Sequence, residues 1–88
     1  MPWAIEYTAT AKSQLRKLDR QAARRILDYM DSRVAALDGP RSTGKALTGA
    51  LGGLWRYRVG SCRVICDIQD HMLRVLVVRI GNRRDVYR

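Results

Sequence analysis

Three arginines in the second half of the chain have a spacing that could hold a phosphate group. Arg56 and Arg58 are two positions apart in an alternating segment, and Arg63 follows a predicted Gly60-Ser61 turn. Residues two apart on a strand share a face, and a two-residue hairpin loop places Arg58 opposite Arg63. Because like charges opposed on a sheet destabilise it, we interpret the three arginines as a phosphate site arranged before its ligand arrives. Flexible arginines that spread into solvent are the alternative interpretation.

The C-terminal tail could supply acid–base chemistry. It contains Arg83, Arg84 and Tyr87, and therefore places an aromatic hydroxyl in a cationic segment. A phenol, whose unperturbed pKa is about 10, can act as a general base when neighbouring positive charges lower that pKa. Terminal residues are often frayed, so a tail without a chemical role is the alternative.

The net charge indicates a polyanionic partner. Seventeen Lys and Arg residues oppose eight Asp and Glu residues, which gives a net charge of +9. Residues 1–44 contain eight basic and five acidic side chains, for +3, and residues 45–88 contain nine and three, for +6. Most of the cations are arginines, which suit bidentate phosphate contacts. The excess charge therefore lies in the half of the chain that contains the three spaced arginines.

The chain length allows one domain, spanning residues 1–88. Its apolar runs are too short to cross a bilayer and its first residues lack the features of a signal peptide, so we expect a cytoplasmic protein without a membrane partner. Cys62 and Cys66 would be about 13 Å apart in one strand, too far for a disulfide. A zinc site would need both cysteines, His71 and a carboxylate to converge. We therefore expect packing thiols and no metal.

The first half of the chain is predicted to contain one strand and two helices. Residues 3–7 alternate as a short strand, Thr8 or Thr10 can cap a first helix, and Asp19 can cap a second. The apolar positions of the second helix follow the helical period: Ala23, Ile26, Leu27, Met30, Val34 and Leu37.

The second half is predicted to be an antiparallel meander. The period of two from Leu54 onward gives strands at residues 54–59, 62–69 and 72–80, joined by tight turns at Gly60-Ser61 and Asp70-His71. The predicted fold is α+β: an N-terminal strand, two helices and this three-stranded meander, with the helices on one face of a four-stranded sheet. The predicted core face contains Trp55, Tyr57, Val59, Cys62, Val64, Cys66, Ile68, Leu73, Val75 and Val77.

Several segments, taken in order, resemble RelE-type toxins of the RelE/ParE superfamily. They are Lys45-Ala46-Leu47-x-Gly49, residues 54–65 from Leu-Trp-Arg-Tyr-Arg to Val-Ile, and residues 81–87, Gly-Asn-Arg-Arg-Asp-Val-Tyr. Residues 10–18 are similar to the first helix of that family. The resemblance runs nearly end to end, and it implies a RelE-like fold.

The resemblance also implies an activity. RelE-type toxins are endoribonucleases of toxin-antitoxin pairs that cleave messenger RNA in the ribosomal A site, inhibit translation and are neutralised by a RelB-like antitoxin. It implies no metal or other cofactor. By position, the resemblance implies that the catalytic residues are Arg56, Arg58, Arg63, Arg83 and Tyr87, and that Tyr87 is the general base. The remaining cations of this half are predicted to bind RNA or the ribosome: Lys45, Arg74, Arg79, Arg84 and Arg88.

Two departures and two alternatives stay open. RelE toxins often carry lysines at the positions of Arg56 and Arg58, and arginine is a poor proton donor, so the general acid is unassigned. The tail spacing also leaves Arg83 and Arg84 interchangeable. The alternatives are a ParE-like toxin that inhibits DNA gyrase by binding, and a non-catalytic basic nucleic-acid-binding domain.

Overall fold

The computed structural model describes residues 3–35, 39–82, 84 and 86. It contains one mixed sheet with strand order β1-β5-β4-β3-β2, in which β1 runs parallel to β5 and the other neighbours are antiparallel. The strands are β1 (Ala4–Tyr7), β2 (Lys45–Ala46), β3 (Trp55–Val59), β4 (Cys62–Gln69) and β5 (Arg74–Asn82), and the helices are α1 (Ala9–Lys17) and α2 (Arg20–Tyr29). The predicted α+β class is confirmed, and the two-residue strand β2 adds a fifth strand to the four expected.

Side-chain caps start both helices where the sequence indicated. The Thr8 hydroxyl accepts a hydrogen bond from the Ala11 backbone N–H at 3.1 Å, and the Asp19 carboxylate accepts one from Ala22 at 2.9 Å. The two helices are separate because Leu18 and Asp19 are extended between them.

The second helix continues into a π-helical turn, Met30–Val34. Ile26, Met30 and Val34, four residues apart, are fully buried in the core against the sheet. Leu27 was predicted on the same face but is 37% exposed, because it lies one position beyond the stripe that faces the sheet. Leu37 lies outside the described residues.

The hairpin between β3 and β4 has the predicted register. Val59 pairs with Cys62 and Arg58 with Arg63, across a two-residue turn at Gly60-Ser61. Gly60 has φ +60°, the left-handed conformation that such turns require.

The turn between β4 and β5 is longer than predicted. Gln69 pairs with Arg74, so four residues rather than two form the loop, with a 3-10 turn at Asp70–Met72 and Leu73 at φ 49°. Leu73, predicted in the core, is 41% exposed as a result.

A bulge in β5 then changes which side chains reach the core. Ile65 pairs with Arg79 but Cys66 pairs with Val77, which leaves Val78 as the extra residue. Beyond the bulge Ile80 is buried, at 2% exposed, and Arg79 shares the face of Ile65. Without this insertion the alternation along β5 would direct Arg79 toward the helices.

Cys66 is fully buried and Cys62 is 5% exposed, and both are free thiols in the core. Burial, with a smaller effect of Asp67, raises the pKa of the Cys66 thiol, so it is a packing residue. Within the described ranges no three His, Cys, Asp or Glu side chains are grouped to hold a metal ion. None of the helices in those ranges is long and apolar enough to span a bilayer.

Candidate functional site

One row of cations crosses the sheet face opposite the helices. Lys45 on β2 pairs with Arg56 on β3, Arg56 pairs with Ile65 on β4, and Ile65 pairs with Arg79 on β5. Directly paired residues place their side chains on the same face, and three strand spacings cover about 14 Å. The row therefore brings cations from three strands to one surface, around a buried Ile65.

A second row lies next to the first. Arg58 pairs with Arg63, and Arg63 pairs with Gly81 on β5. Directly opposed residues have Cβ atoms about 4.5–5.5 Å apart, and Arg58 is two positions from Arg56, about 6.6 Å along the strand. We define the open-face cations as Lys45, Arg56, Arg58 and Arg63.

The open-face cations have no carboxylate partner among the described residues. The ion pairs between described residues join Arg41 to Asp70 and Arg74 to Glu6. Asp67, the one acid on β4, instead accepts a hydrogen bond from Gln69 at 2.9 Å. The positive charge of this surface is therefore not compensated within the described part of the chain, as an anion-binding surface requires.

Arg56 is the most enclosed of the open-face arginines. It is half-buried, and its Nε atom is buried without a hydrogen-bond partner among the described residues. An unsatisfied buried donor costs about 1–3 kcal/mol, which an acceptor supplied by a ligand would recover. Arg63 is also half-buried and donates from Nη1 to the Cys62 carbonyl at 3.3 Å, whereas Arg58 is exposed.

Val86, from the C-terminal tail, packs against the same face. Val86 is 1% exposed, its N–H donates to the Asn82 carbonyl at 3.1 Å, and its own carbonyl accepts from Arg79 Nη1 at 3.0 Å. A Cβ atom on Gly81 would lie 3.5–3.6 Å from Val86, so the glycine leaves room for the tail. The tail is thus anchored at the residue that pairs with Arg63. No role was predicted for Val86 from the sequence. A lone valine in a charged tail is nevertheless a signal that could have indicated a buried anchor.

The other predicted site residues lie in different places. Arg74 bonds to Glu6 at 3.3 Å and to Gln69 at 2.6 Å, some four residues, or about 13 Å, along the ladder from the Ile65 row. Gln69 accepts this hydrogen bond while it donates to Asp67, so it links the Arg74 and Asp67 side chains. Arg84 is exposed, and its backbone N–H donates to Asn82. Arg83, Tyr87 and Arg88 lie outside the described residues, so their roles stay predictions.

A cavity of about 270 Å³ opens at the outer edge of β3, where β2 begins. Six residues line it: Tyr29, Thr43, Gly44, Lys45, Arg56 and Arg58. The Tyr29 and Thr43 hydroxyls are hydrogen-bonded to each other at 3.1 Å. Tyr29 and Thr43 were not predicted as site residues, because they are distant in the chain and no motif connects them. We call this space the edge cavity.

The loop before β2 is held firmly against β3. Trp55 Nε1 donates to the Thr43 carbonyl at 2.8 Å, and the buried Tyr57 hydroxyl donates to the Pro40 carbonyl. Gly44 has φ +85°, and a Cβ atom there would meet the Arg56 carbonyl oxygen and lie 2.5 Å from Trp55 Nε1. Only glycine fits at this position.

Two groups that bond to this loop, the Tyr57 hydroxyl and the Asp70 carboxylate, have shifted pKa values. Burial raises the pKa of Tyr57 above its usual range. At the far end of the sheet, Arg41 bonds to Asp70 at 2.8 and 2.9 Å and lowers the pKa of that carboxyl. The loop is therefore fixed at several points before any ligand binds.

Comparison with known proteins identifies the family. A family model described as the ParE toxin of the type II toxin-antitoxin system parDE matches residues 5–87. Toxin RelG of Mycobacterium tuberculosis is 28% identical over 88 residues, which are 100% of this chain and 99% of that protein.

Solved structures agree with this assignment. The toxin-antitoxin complex RelBE2 of M. tuberculosis contains a chain that matches with a TM-score of 0.86 and 26% identity, covering 97% of this chain and 95% of that one. The fold is also that of an arginine-to-alanine double mutant of E. coli RelE in the free state, with a TM-score of 0.78, 20% identity and coverage of 99% and 92%. The chain belongs to the RelE/ParE superfamily, the toxins of type II toxin-antitoxin systems.

Proposed function

We propose that this toxin is an endoribonuclease that cleaves messenger RNA in the ribosomal A site and so inhibits translation in the cytoplasm. One observation carries the proposal: Lys45, Arg56, Arg58 and Arg63 lie on one open sheet face without carboxylate partners among the described residues. Such an arrangement lowers stability unless an anion binds, and RNA is the anion that the family resemblance implies.

The proposed reaction is an internal transfer at phosphorus. The ribose 2′-hydroxyl loses its proton to a base, its oxygen forms a bond to the adjacent phosphorus, and the bond from phosphorus to the 5′-oxygen breaks. Negative charge develops on the phosphoryl oxygens, and the guanidinium groups of Arg56, Arg58 and Arg63 stabilise it. The register of β3 and β4 sets the backbone positions of these arginines before the substrate arrives.

Tyr87 is the proposed base, with Arg83 as a further cation of the site. The proposal is supported by the position of the preceding residue, since Val86 is buried beside Gly81, whose ladder partner is Arg63. Nearby positive charge favours the phenolate, which is the form that accepts a proton. The group that protonates the leaving 5′-oxygen is not assigned, because arginine is a poor acid.

The proposed partners follow from the same surface. The ribosome and its message are polyanions, and affinity for them should fall steeply with salt if several phosphates are contacted. A RelB-like antitoxin is proposed as the neutralising partner, since a similar chain was solved in a toxin-antitoxin complex.

The matching family description favours a second candidate, a ParE-like toxin that inhibits DNA gyrase by binding. Tyr87→Phe separates the two proposals, because it removes the base but keeps the shape and charge of the tail. Purified wild-type protein should cut messages on programmed ribosomes, mapped by primer extension, and leave gyrase supercoiling unchanged. The variant should bind ribosomes with unchanged affinity but not cut. Full cutting by Tyr87→Phe would remove the base from the mechanism, and gyrase inhibition without cutting would establish the alternative.

A further inference from the structure

The edge cavity borders the site of the proposed chemistry, and its lining includes three residues which that chemistry does not use, Tyr29, Thr43 and Lys45. Its lining contains three cations, Lys45, Arg56 and Arg58, and no acidic residue. It lies on the outer side of β3, whereas Arg63 lies on the inner side, on β4. Arg58, which lines the edge cavity and pairs with Arg63, therefore lies between the cavity and Arg63.

The two hydroxyl groups that line the edge cavity can donate one hydrogen bond to a ligand. The Tyr29 and Thr43 hydroxyls share one hydrogen bond of 3.1 Å. Two hydroxyls have two hydrogens, and their mutual bond uses one of them, so the other can point to a ligand. Both residues line the cavity, so this donor is available next to the cations.

A buried donor without an acceptor supports the same conclusion. Arg56 Nε is buried and has no hydrogen-bond partner among the described residues, although Arg56 lines the cavity. Phosphate oxygens would accept from a guanidinium and a hydroxyl together, in the charge-assisted bonds that such groups form best. The Thr43 carbonyl accepts a hydrogen bond from Trp55 Nε1 at 2.8 Å, which holds Thr43 in place beside the cavity.

We propose that the edge cavity binds the RNA phosphate next to the one that is cleaved, with Tyr29 and Thr43 as binding residues of this subsite. The inference rests on the proposed ribonuclease function and extends it, since it assigns the toxin a substrate longer than one linkage. The subsite contributes to binding of the message through the Tyr29 and Thr43 hydroxyls, and Arg56, Arg58 and Arg63 keep their proposed role at the reacting phosphate.

The test combines two conservative variants with modified messages. Tyr29→Phe and Thr43→Val remove the hydroxyls but keep the ring contact with Tyr57 and the carbonyl that Trp55 binds. Thr48→Val, in an exposed position outside the cavity, is the matched control. In messages on programmed ribosomes, one uncharged methylphosphonate replaces either the linkage 5′ or the linkage 3′ of the cleaved one.

We expect the hydroxyl substitutions and the neutral linkage to raise KM by the same interaction, so that their effects do not add. For the wild type, one of the two neutral linkages should raise KM about tenfold, the effect of one charge-assisted hydrogen bond, with kcat unchanged. The Tyr29→Phe, Thr43→Val double variant should show the raised KM with the normal message, and the neutral linkage should then have little further effect. Thr48→Val should behave as the wild type.

Two results would overturn the inference. One is a double variant with wild-type KM and full sensitivity to the neutral linkage, and the other is a wild type whose KM is unchanged by either neutral linkage. Failure of the ribonuclease proposal itself would look different, because the wild type would leave every message intact.

Discussion

Arg58→Gln should make the folded protein more stable while it damages the site. Arg58 is exposed, lies opposite Arg63 and is two residues from Arg56, and no carboxylate among the described residues compensates these charges. Glutamine keeps a polar side chain on the strand but removes the two repulsions.

The size of the gain can be worked from the spacing. At about 7 Å and the dielectric constant of water, each repulsion is roughly 0.6 kcal/mol, or about 1.2 kcal/mol for two neighbours. Screening over a Debye length of about 30 Å leaves roughly 1 kcal/mol at 10 mM salt, and a length of about 8 Å leaves roughly 0.5 kcal/mol at 150 mM. At 1 M salt the gain should fall to about 0.1 kcal/mol.

Urea unfolding at these three salt concentrations measures the effect. Arg41→Gln is the matched control of opposite sign, because it removes an arginine that is bonded to Asp70. It should destabilise the protein, most clearly at low salt. An Arg58→Gln protein that is less stable than wild type, or whose gain does not change with salt, would refute the picture of an uncompensated cation cluster.

Three further predictions concern the loop, the core and the tail. Gly44→Ala should lower the free energy of unfolding by about 2–4 kcal/mol, measured in urea, because it combines left-handed strain with a backbone clash; unchanged stability would contradict the tight fit. Burial, with smaller effects of Asp31 and Cys66, raises the pKa of Tyr7 to about 12, so its contribution to stability is complete below pH 10 and is lost as the pH rises toward 12. Tyr7→Phe should therefore flatten the decline of stability between pH 10 and 12. An unchanged dependence of the unfolding free energy on pH would contradict this role of Tyr7. Arg79→Gln should release the Val86 carbonyl and lower kcat about tenfold with little change in KM, by steady-state cleavage kinetics; a raised KM alone would assign Arg79 to RNA binding instead.

The register of the site was predictable because a local feature determines it. A two-residue turn at Gly60-Ser61 fixes the pairing of Arg58 with Arg63, and alternation then places Arg56 on the same face. Thr8 and Asp19 were predictable as caps for the same reason, since a cap depends on residues three positions away.

The errors arose where a residue was inserted or where distant segments meet. The four-residue turn after Gln69 exposed Leu73, and nothing in the alternation indicates it. The bulge at Val78 moved Ile80 into the core, and its one trace in the sequence is that strict alternation would place the charged Arg79 among core residues. The strand Lys45–Ala46 is too short to show a period. The pairing of Tyr29 with Thr43 depends on tertiary packing of α2 against the loop, which one sequence does not reveal.

The central claim is that the open-face cations stabilise RNA cleavage, and Arg63→Gln tests it most directly. Arg63 is on the inner strand of the arginine pair and makes only one described hydrogen bond, at 3.3 Å to a neighbouring carbonyl, so its loss should leave the fold intact. In single-turnover assays with saturating toxin on programmed ribosomes, we expect Arg63→Gln to lower the cleavage rate about 100- to 1,000-fold relative to the wild type. A variant that is folded and cuts at the wild-type rate would contradict it.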